Sequence, residues 1–146
     1  MEGKHPAQIL FTEKHPLTAA LGMEFFPEGD FDLRVELLAP DSFLGEDELH
    51  LHTGFSTLLL DTVLGSCAIG NLRKMQPIAT IKLTCNHLCK PKAGEALICR
   101  AVWNGEQHSI SYVSGDIREK ASGNLLSSAI GTFMVGTSSR PLGDKK

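Results

Sequence analysis

Asp61 stands alone in a long apolar stretch and is the first candidate for chemistry. Residues 50–72 read HLHTGFSTLLLDTVLGSCAIGNL, and between His52 and Arg73 this is the one acidic side chain. A carboxylate is costly to bury without a partner, so it indicates either a hydrogen-bonded structural acid or a catalytic group. Thr57, Thr80 and a backbone amide are the candidate structural partners, and the residues alone leave both readings open.

A second group of side chains has residue types that bind metals. Cys85, His87 and Cys89 alternate along the chain, so on a strand they would share one face and could converge. His50 is the nearest candidate for a fourth ligand. Because the spacing matches none of the usual zinc patterns, we expect no metal and no cofactor.

The stretch that carries Asp61 is predicted to be one helix of about five turns. Apolar and small residues recur at helical spacing on one side, and others fill the remaining faces: Phe55, Leu58, Leu59, Thr62, Ser66 and Ile69, then Leu60, Val63, Leu64, Cys67 and Ala68. A helix that is apolar all round is normally enclosed by other elements. Since one sheet covers only part of such a helix, we expect a second copy of the protein to bury the rest.

The remainder of the chain is predicted to be mostly strands. Ahead of the long helix we expect helical residues within 6–21 ending at Gly22, strands at 23–26 and 31–37 joined by a turn, and a loop at 39–49. After Gln76–Pro77 we expect strands at 78–88, 96–103, 109–117 and 125–135, then a polar tail at 136–146. This order predicts an α+β domain with antiparallel strands around a single helix.

Two local features of the predicted sheet are explicit enough to be tested. In the strand at 78–88, alternation places Thr80, Lys82 and Thr84 on the face opposite Ile81, Leu83 and Cys85. Asn104–Gly105 is a strong hairpin signal and is predicted to close the strand at 96–103.

Length, composition and charge narrow the class of protein. The 146 residues are 42% hydrophobic and 21% charged, which is typical of a single globular domain. A net charge of -3 gives no basic footprint, so we expect no nucleic-acid partner. Polar residues interrupt the longest apolar run, so we expect no membrane span. The first ten residues lack a signal-peptide core and the four cysteines lack a disulfide spacing, so we expect reduced thiols and a cytoplasmic protein.

The sequence resembles the hot-dog thioesterases, in the branch of the phenylacetyl-CoA and 4-hydroxybenzoyl-CoA thioesterases. Their signature is a His-Gly-Gly that opens the central helix and an acid nine positions after the His. Here His52-Thr53-Gly54 opens the helix and Asp61 has that spacing. Further similar segments are Thr62, Leu64 and Gly65 in the helix, residues 77–84, residues 92–95 and Gly131-Thr132-Phe133. The resemblance covers residues 17–135.

The resemblance implies an α+β hot-dog fold, in which an antiparallel sheet wraps one long central helix, and hydrolysis of acyl-CoA or aryl-CoA thioesters. It implies Asp61 as general base or nucleophile, and the N–H groups of Thr53 and Gly54 as donors to the oxyanion. His52 would orient the loop or the substrate, and Thr80 would orient the water. Coenzyme A is then part of the substrate rather than a cofactor.

The length of the helix argues for a site shared between two chains. At about 1.5 Å per residue, Asp61 lies about 12 Å along the helix from Thr53, so one chain cannot easily place both groups on one carbonyl. A homodimer, or a tetramer of two dimers, brings Asp61 of one chain to the helix start of the other. The family arrangement implies the same.

The substrate is expected to contact four further residues: Glu46, Phe55, Lys90 and Lys92. The lysines, with Arg73 and Lys74, could meet the phosphates of coenzyme A, although each also suits a solvated turn. Two positions depart from the family pattern, since Thr53 replaces a Gly and Glu46 replaces an Asn. Glu46 belongs to an acidic run with Asp47 and Glu48, which also fits a solvated loop.

Two other functions are compatible with this sequence. The departures at Glu46 and Thr53 would suit a non-catalytic module that binds acyl groups or acyl-CoA. A hydratase or dehydratase of the same fold is a third possibility, although those enzymes have a different motif, with a His-Asp or His-Glu pair for proton abstraction. Thiol release from an acyl-CoA separates the hydrolase from both.

Overall fold

The computed structural model describes residues 15–138, and their elements follow the predicted order. They are α1 (Pro16–Ala20), β1 (Glu24–Glu28), β2 (Asp32–Leu38), α2 (Thr53–Gly70), β3 (Ile78–His87), β4 (Ala96–Gln107), β5 (Ile110–Glu119) and β6 (Leu125–Val135). A short 3-10 turn, Asp41–Phe43, lies in the predicted loop before α2. The helical residues predicted at 6–14, and the tail at 139–146, lie outside the described residues.

The six strands form one antiparallel sheet in the order β1-β2-β4-β5-β6-β3. Consecutive strands β4, β5 and β6 pair as hairpins, whereas β3 crosses over to pair with β6 and becomes an edge strand. The α2 helix packs across one face of the sheet and contacts β2 through β6. This is the predicted α+β architecture.

Hydrophobic burial between α2 and the sheet holds the fold together. Leu59, Leu60, Val63 and Leu64 are completely buried. They pack in one cluster with strand residues that include Val35, Leu97, Val113 and Ile117. Each such side chain contributes about 1.5–3 kcal/mol when it leaves water, so this contact is the main stabilising layer.

By length and composition alone, the α2 helix is long and apolar enough to cross a membrane. Over Thr53–Gly70 its mean hydropathy is 1.3, although polar residues interrupt the run. In the fold, however, 56% of this window is buried inside the protein. The helix therefore packs as the core helix of a globular domain.

The face assignment of β3 was wrong at Thr80 and at Ile81, which is exposed, because the strand contains a bulge. Thr80 pairs with Phe133 and Lys82 pairs with Thr132, so Ile81 is an extra residue that shifts the register. Phe133 is buried in the core. Thr80 therefore shares the helix-facing side of the sheet with Leu83 and Cys85, which pair further along with Gly131 and Ala129.

The prediction of a hairpin turn at Asn104–Gly105 was also wrong. The β4 strand continues through these residues to Gln107, and a register shift between Trp103 and Gly105 marks a second bulge. The chain turns instead at His108 and Ser109, whose φ angles are 52° and 61°. The four cysteines, Cys67, Cys85, Cys89 and Cys99, are all free in the structure.

Candidate active site

The sheet leaves one side of α2 uncovered. Eight helix residues are exposed or half-buried: Thr53, Gly54, Thr57, Leu58, Asp61, Thr62, Ile69 and Gly70. Where this open stripe meets β3, side chains of the two elements are in contact, and we call this line the α2–β3 seam. It comprises Thr57 and Asp61 from the helix and Thr80, Cys85 and His87 from the strand.

Asp61 lies on the seam rather than in the core. The Thr80 hydroxyl donates a hydrogen bond to Asp61 Oδ1 over 2.8 Å. Thr80 reaches the helix because the bulge at Ile81 turns it to the inner face of the sheet. No other hydrogen bond within residues 15–138 engages the carboxylate, so Oδ2 can accept a proton or a ligand.

The start of α2 offers one open backbone donor in the single chain. His52 is the N-cap, and its Nδ1 accepts the Gly54 N–H over 3.0 Å, while the Phe55 N–H donates to the His52 carbonyl over 2.9 Å. Within the described part of the chain, nothing accepts the Thr53 N–H. Of the two donors predicted from the sequence, Thr53 is therefore open and Gly54 is engaged by His52.

The turn that carries Lys90 and Lys92 lies beside the start of α2. His50 forms a bridge with Lys92, and the Leu51 N–H donates to the Pro91 carbonyl over 2.8 Å. These backbone contacts join the turn to the segment that leads into α2. Arg73 and Lys74 follow the opposite end of the helix, so the chain does not bring the four cations together.

Glu46 lies in the tight loop before α2, where the carboxylate next to it has a structural role. Asp47 accepts hydrogen bonds from the N–H groups of Leu49 and His50 and from the His50 ring. These contacts hold the pKa of Asp47 well below its usual range. Glu46 is exposed and has no hydrogen-bond partner in the part of the chain that is described.

Phe55 does not line the open stripe. Its side chain is 1% exposed, and its ring lies 5.3 Å from that of Phe43 in the core. The helical pattern points it to the sheet, so we leave it out of the proposed substrate contacts.

A hydrogen-bonded network that the sequence did not predict continues the seam toward the start of α2. His87 Nε2 lies 3.1 Å from Thr57 Oγ1, and His87 Nδ1 lies 2.9 Å from Ser127 Oγ. The sequence reading singled out His87 only as part of a metal pattern. No group of three metal-binding side chains converges anywhere in residues 15–138. Finding the network requires the β3–β6 register, which pairs His87 with Ser127.

Cys85 lies on the seam and interacts with Thr57 and with the charge of Asp61. Burial raises the pKa of its thiol, the Thr57 hydrogen bond opposes that rise, and the Asp61 charge adds to it. The net direction is upward, so Cys85 remains a protonated thiol near neutral pH and is poorly suited to act as a nucleophile.

A separate cavity lies at the far end of α2, under the β1–β2 turn. Its lining includes Phe25, Leu33, Cys67 and Asn71. Asn71 Nδ2 donates to the carbonyls of Phe31 and Cys67, and burial raises the pKa of Cys67 to about 12. None of the predicted site residues lies in this cavity.

Of the comparisons with known proteins, the one with solved structures supports this architecture. No family model matches the sequence, and no curated protein matches it significantly. Among solved structures, a phenylacetic acid degradation-related protein from Ralstonia eutropha JMP134 superposes with a TM-score of 0.76 at 22% identity, over 88% of this chain and 98% of that chain.

Two further structures have comparable similarity. Thioesterase superfamily member 2 of zebra fish has a TM-score of 0.75 at 16% identity, over 90% of this chain and 95% of that one. A hypothetical thioesterase protein from Streptococcus pneumoniae TIGR4, solved with coenzyme A, has a TM-score of 0.69 at 20% identity, over 80% and 88%. The chain therefore has the hot-dog fold of these structures, with one long helix packed against a six-stranded antiparallel sheet.

Proposed function

We propose that this protein is an acyl-CoA thioesterase that hydrolyses acyl-CoA or aryl-CoA thioesters. The observation that carries the proposal is the position of Asp61. It is the sole acid of an otherwise apolar helix, it lies on the open stripe, and Thr80 holds one of its oxygens.

Hydrolysis of a thioester needs a base or nucleophile and donors for the developing oxyanion. The bond from Thr80 fixes the Asp61 carboxylate and leaves Oδ2 to take a proton from water or to attack the carbonyl. The Thr53 N–H, at the positive end of the helix dipole, is the donor for the carbonyl oxygen. His52 holds the Gly54 N–H and so fixes the geometry of this first turn.

We further propose that the active site is completed by a second copy of the chain. Asp61 and Thr53 of one helix are about 12 Å apart along the axis, which is too far for one carbonyl. The open stripe carries Leu58, Thr62 and Ile69, an apolar surface suited to the same stripe of a partner. Because β3 is an edge strand, a second copy of the chain can pair with it, and we propose either a homodimer or a tetramer of two dimers.

Coenzyme A is the proposed carrier. A structural neighbour was solved with coenzyme A, and in this chain the turn that carries Lys90 and Lys92 is bridged to His50, shortly before the proposed oxyanion donor. Their ammonium groups suit the phosphates of the carrier. Glu46, on the same side of α2, would contact the substrate near its thioester end. The proposal includes no cofactor. We propose a cytoplasmic location, since the four free thiols of the chain are compatible with a reducing compartment.

Thiol release tests the proposed hydrolysis. The protein is incubated with a panel of acyl-CoA and aryl-CoA thioesters, and free coenzyme A is measured with a thiol reagent. Asp61→Asn removes the base while keeping an acceptor for the Thr80 hydroxyl, so we expect the rate to fall by about a hundredfold or more. Asp30→Asn changes an exposed acid in the β1–β2 turn and serves as the matched control.

The same assay distinguishes the second candidate function, a module that binds acyl-CoA without hydrolysing it. That candidate is favoured by the engagement of the Gly54 N–H with His52, which reduces the donors for an oxyanion. Binding in calorimetry without thiol release would support the module. Equal release by Asp61→Asn and the unchanged protein would overturn the role of Asp61.

A further inference from the structure

The imidazole of His87 links α2 to β6 through both of its nitrogens. Nε2 contacts Thr57 Oγ1 at 3.1 Å, and Nδ1 contacts Ser127 Oγ at 2.9 Å. Ser127 is completely buried, so this end of the link is fixed by the core. The ring itself is exposed on the seam, which places it beside the proposed reaction rather than inside the fold.

Thr57 stands one helical turn before Asp61 on the open stripe. Residues separated by four positions in a helix have their Cβ atoms about 5–6 Å apart. One water molecule that makes hydrogen bonds of about 2.8 Å can bridge two oxygens at such a separation. A water held by Asp61 Oδ2 is therefore within reach of Thr57 Oγ1.

We propose that His87 is a positioning residue that orients the hydrolytic water through the Thr57 hydroxyl. The proposal rests on the proposed function, in the form in which Asp61 is the general base. Neutral His87 donates its Nδ1–H to Ser127 and accepts the Thr57 O–H at Nε2. The hydroxyl proton then points away from the seam, and a lone pair of Thr57 Oγ1 faces the water.

The proton balance of this arrangement is complete. The water gives one proton to Asp61 Oδ2, keeps the other in a hydrogen bond to Thr57, and forms a bond from its oxygen to the thioester carbon. The carbon–sulfur bond breaks, and the leaving thiolate takes the proton from Asp61. A hydroxyl offers one donor and two acceptor sites, so the weak donor Cys85 S–H can share Thr57 with the water.

Protonation of His87 reverses the hydrogen bond to Thr57. An imidazolium donates at both nitrogens, so Nε2–H occupies the Thr57 lone pair and turns the hydroxyl proton into the seam. On the elements that contact the ring, α2 carries Asp61 one turn after Thr57, β3 carries Cys85 two residues before His87, and residues 125–135 of β6 contain no titratable group. Activity is therefore expected to fall at acidic pH by a step that depends on His87.

Two substitutions separate this role from a structural one. Thr57→Val keeps the shape of the exposed side chain and removes the acceptor, so kcat should fall about tenfold while KM stays within about twofold. His87→Gln places an amide oxygen where Nε2 accepts, so activity near pH 8 should be kept, and only the acid limb set by the general base Asp61 should remain. His108→Asn, in the β4–β5 turn, is the matched histidine control and should keep the step.

The pH profile of kcat/KM for these variants is the test, with circular dichroism as the check of folding. Unchanged kcat in Thr57→Val, or an acid limb in His87→Gln that is identical to that of the unchanged protein, would overturn the proposal. Nitrogen-15 NMR of the histidine rings gives a readout that needs no substrate. A neutral Nδ1–H tautomer of His87 that is lost in Thr57→Val supports the proposal, and a neutral Nε2–H tautomer overturns it.

The two proposals fail in distinguishable ways. If the unchanged protein releases no thiol from any thioester, the proposed hydrolysis fails, whatever the NMR result for His87. If it releases thiol in an Asp61-dependent manner and the His87 results are negative, only the positioning role fails.

Discussion

Two strand glycines make room for the α2 side chain Leu64. A Cβ added at Gly115 would lie 2.7 Å from Leu64 Cδ1 and against the backbone of Arg100. A Cβ added at Gly131 would lie 2.8 Å from the Phe133 ring, which covers this glycine from two residues along β6. Both distances are too short for carbon atoms, so Gly115 leaves room for Leu64, and Gly131 leaves room for the Phe133 ring with Leu64 Cδ2 at 3.3 Å.

Gly115→Ala should therefore destabilise the protein. The clash involves backbone as well as Leu64, so relief requires the helix or the strand to move, at a cost of about 1–3 kcal/mol. We expect a lower midpoint in thermal and urea unfolding, with thiol release unchanged when measured well below that midpoint.

The matched control is Gly65→Ala on α2 itself. There an added Cβ would meet Phe133 and Ile78 at 3.5 and 3.8 Å, which are ordinary contacts. Alanine is favoured over glycine in a helix interior by about 0.5–1 kcal/mol, so this variant should be as stable as the unchanged protein or more so. Equal stability of the two variants would contradict the packing argument.

Among the elements, the start of α2 has the most specific role in the proposed mechanism, because the Thr53 N–H must be free to bind the oxyanion. His52 has φ -58° and ψ 140°, a conformation that suits the residue before a proline, and Thr53 is the first helical residue. Thr53→Pro thus removes this one donor at a position where helices tolerate proline.

We expect Thr53→Pro to fold normally and to lose about a hundredfold in kcat, as when one oxyanion donor is removed. Thr53→Ala keeps the N–H and is the control, with activity close to that of the unchanged protein. Initial rates of thiol release and thermal unfolding of both variants measure the effect. Equal activity of Thr53→Pro and Thr53→Ala would show that another group binds the oxyanion.

The strands show where sequence reasoning was sufficient and where it was not. Helical periodicity located α2, and alternation with turn residues located every strand of the sheet. The bulges at Ile81 and Gly105 were missed because a bulge depends on the register with a partner strand, which local sequence does not contain. At Asn104–Gly105 a local turn preference was overridden by pairing of β4 with β5.

The same distinction applies to the site when the whole chain is considered. Asp61 was identifiable because it interrupts an apolar pattern, and His52-Thr53-Gly54 because it opens the helix. Thr80 was named, but its contact with Asp61 depends on the bulge. The link from Thr57 through His87 to Ser127 spans α2, β3 and β6, so it exists only after the sheet has formed.

At the scale of the whole molecule, a single chain does not bring both proposed catalytic groups to one carbonyl. Asp61 and Thr53 lie on the same open stripe but about two helical turns apart. In a two-fold dimer with antiparallel helices, each Asp61 faces the helix start of the partner, and each dimer has two sites. The proposed shared site therefore predicts complementation between inactive variants.

Asp61→Asn and Thr53→Pro are each expected to be nearly inactive as homodimers, because every site lacks one of its two groups. In a mixed dimer, one site combines the intact Asp61 of one chain with the intact Thr53 of the other. A dimer that carries both tags is mixed and has one intact site of two, so its activity should recover to about half of that of the unchanged protein. Coexpression with two affinity tags, followed by thiol-release assays of the doubly purified dimer, measures this recovery. No recovery in a verified mixed dimer would place both groups in one chain, and the open stripe of α2 would then need another explanation.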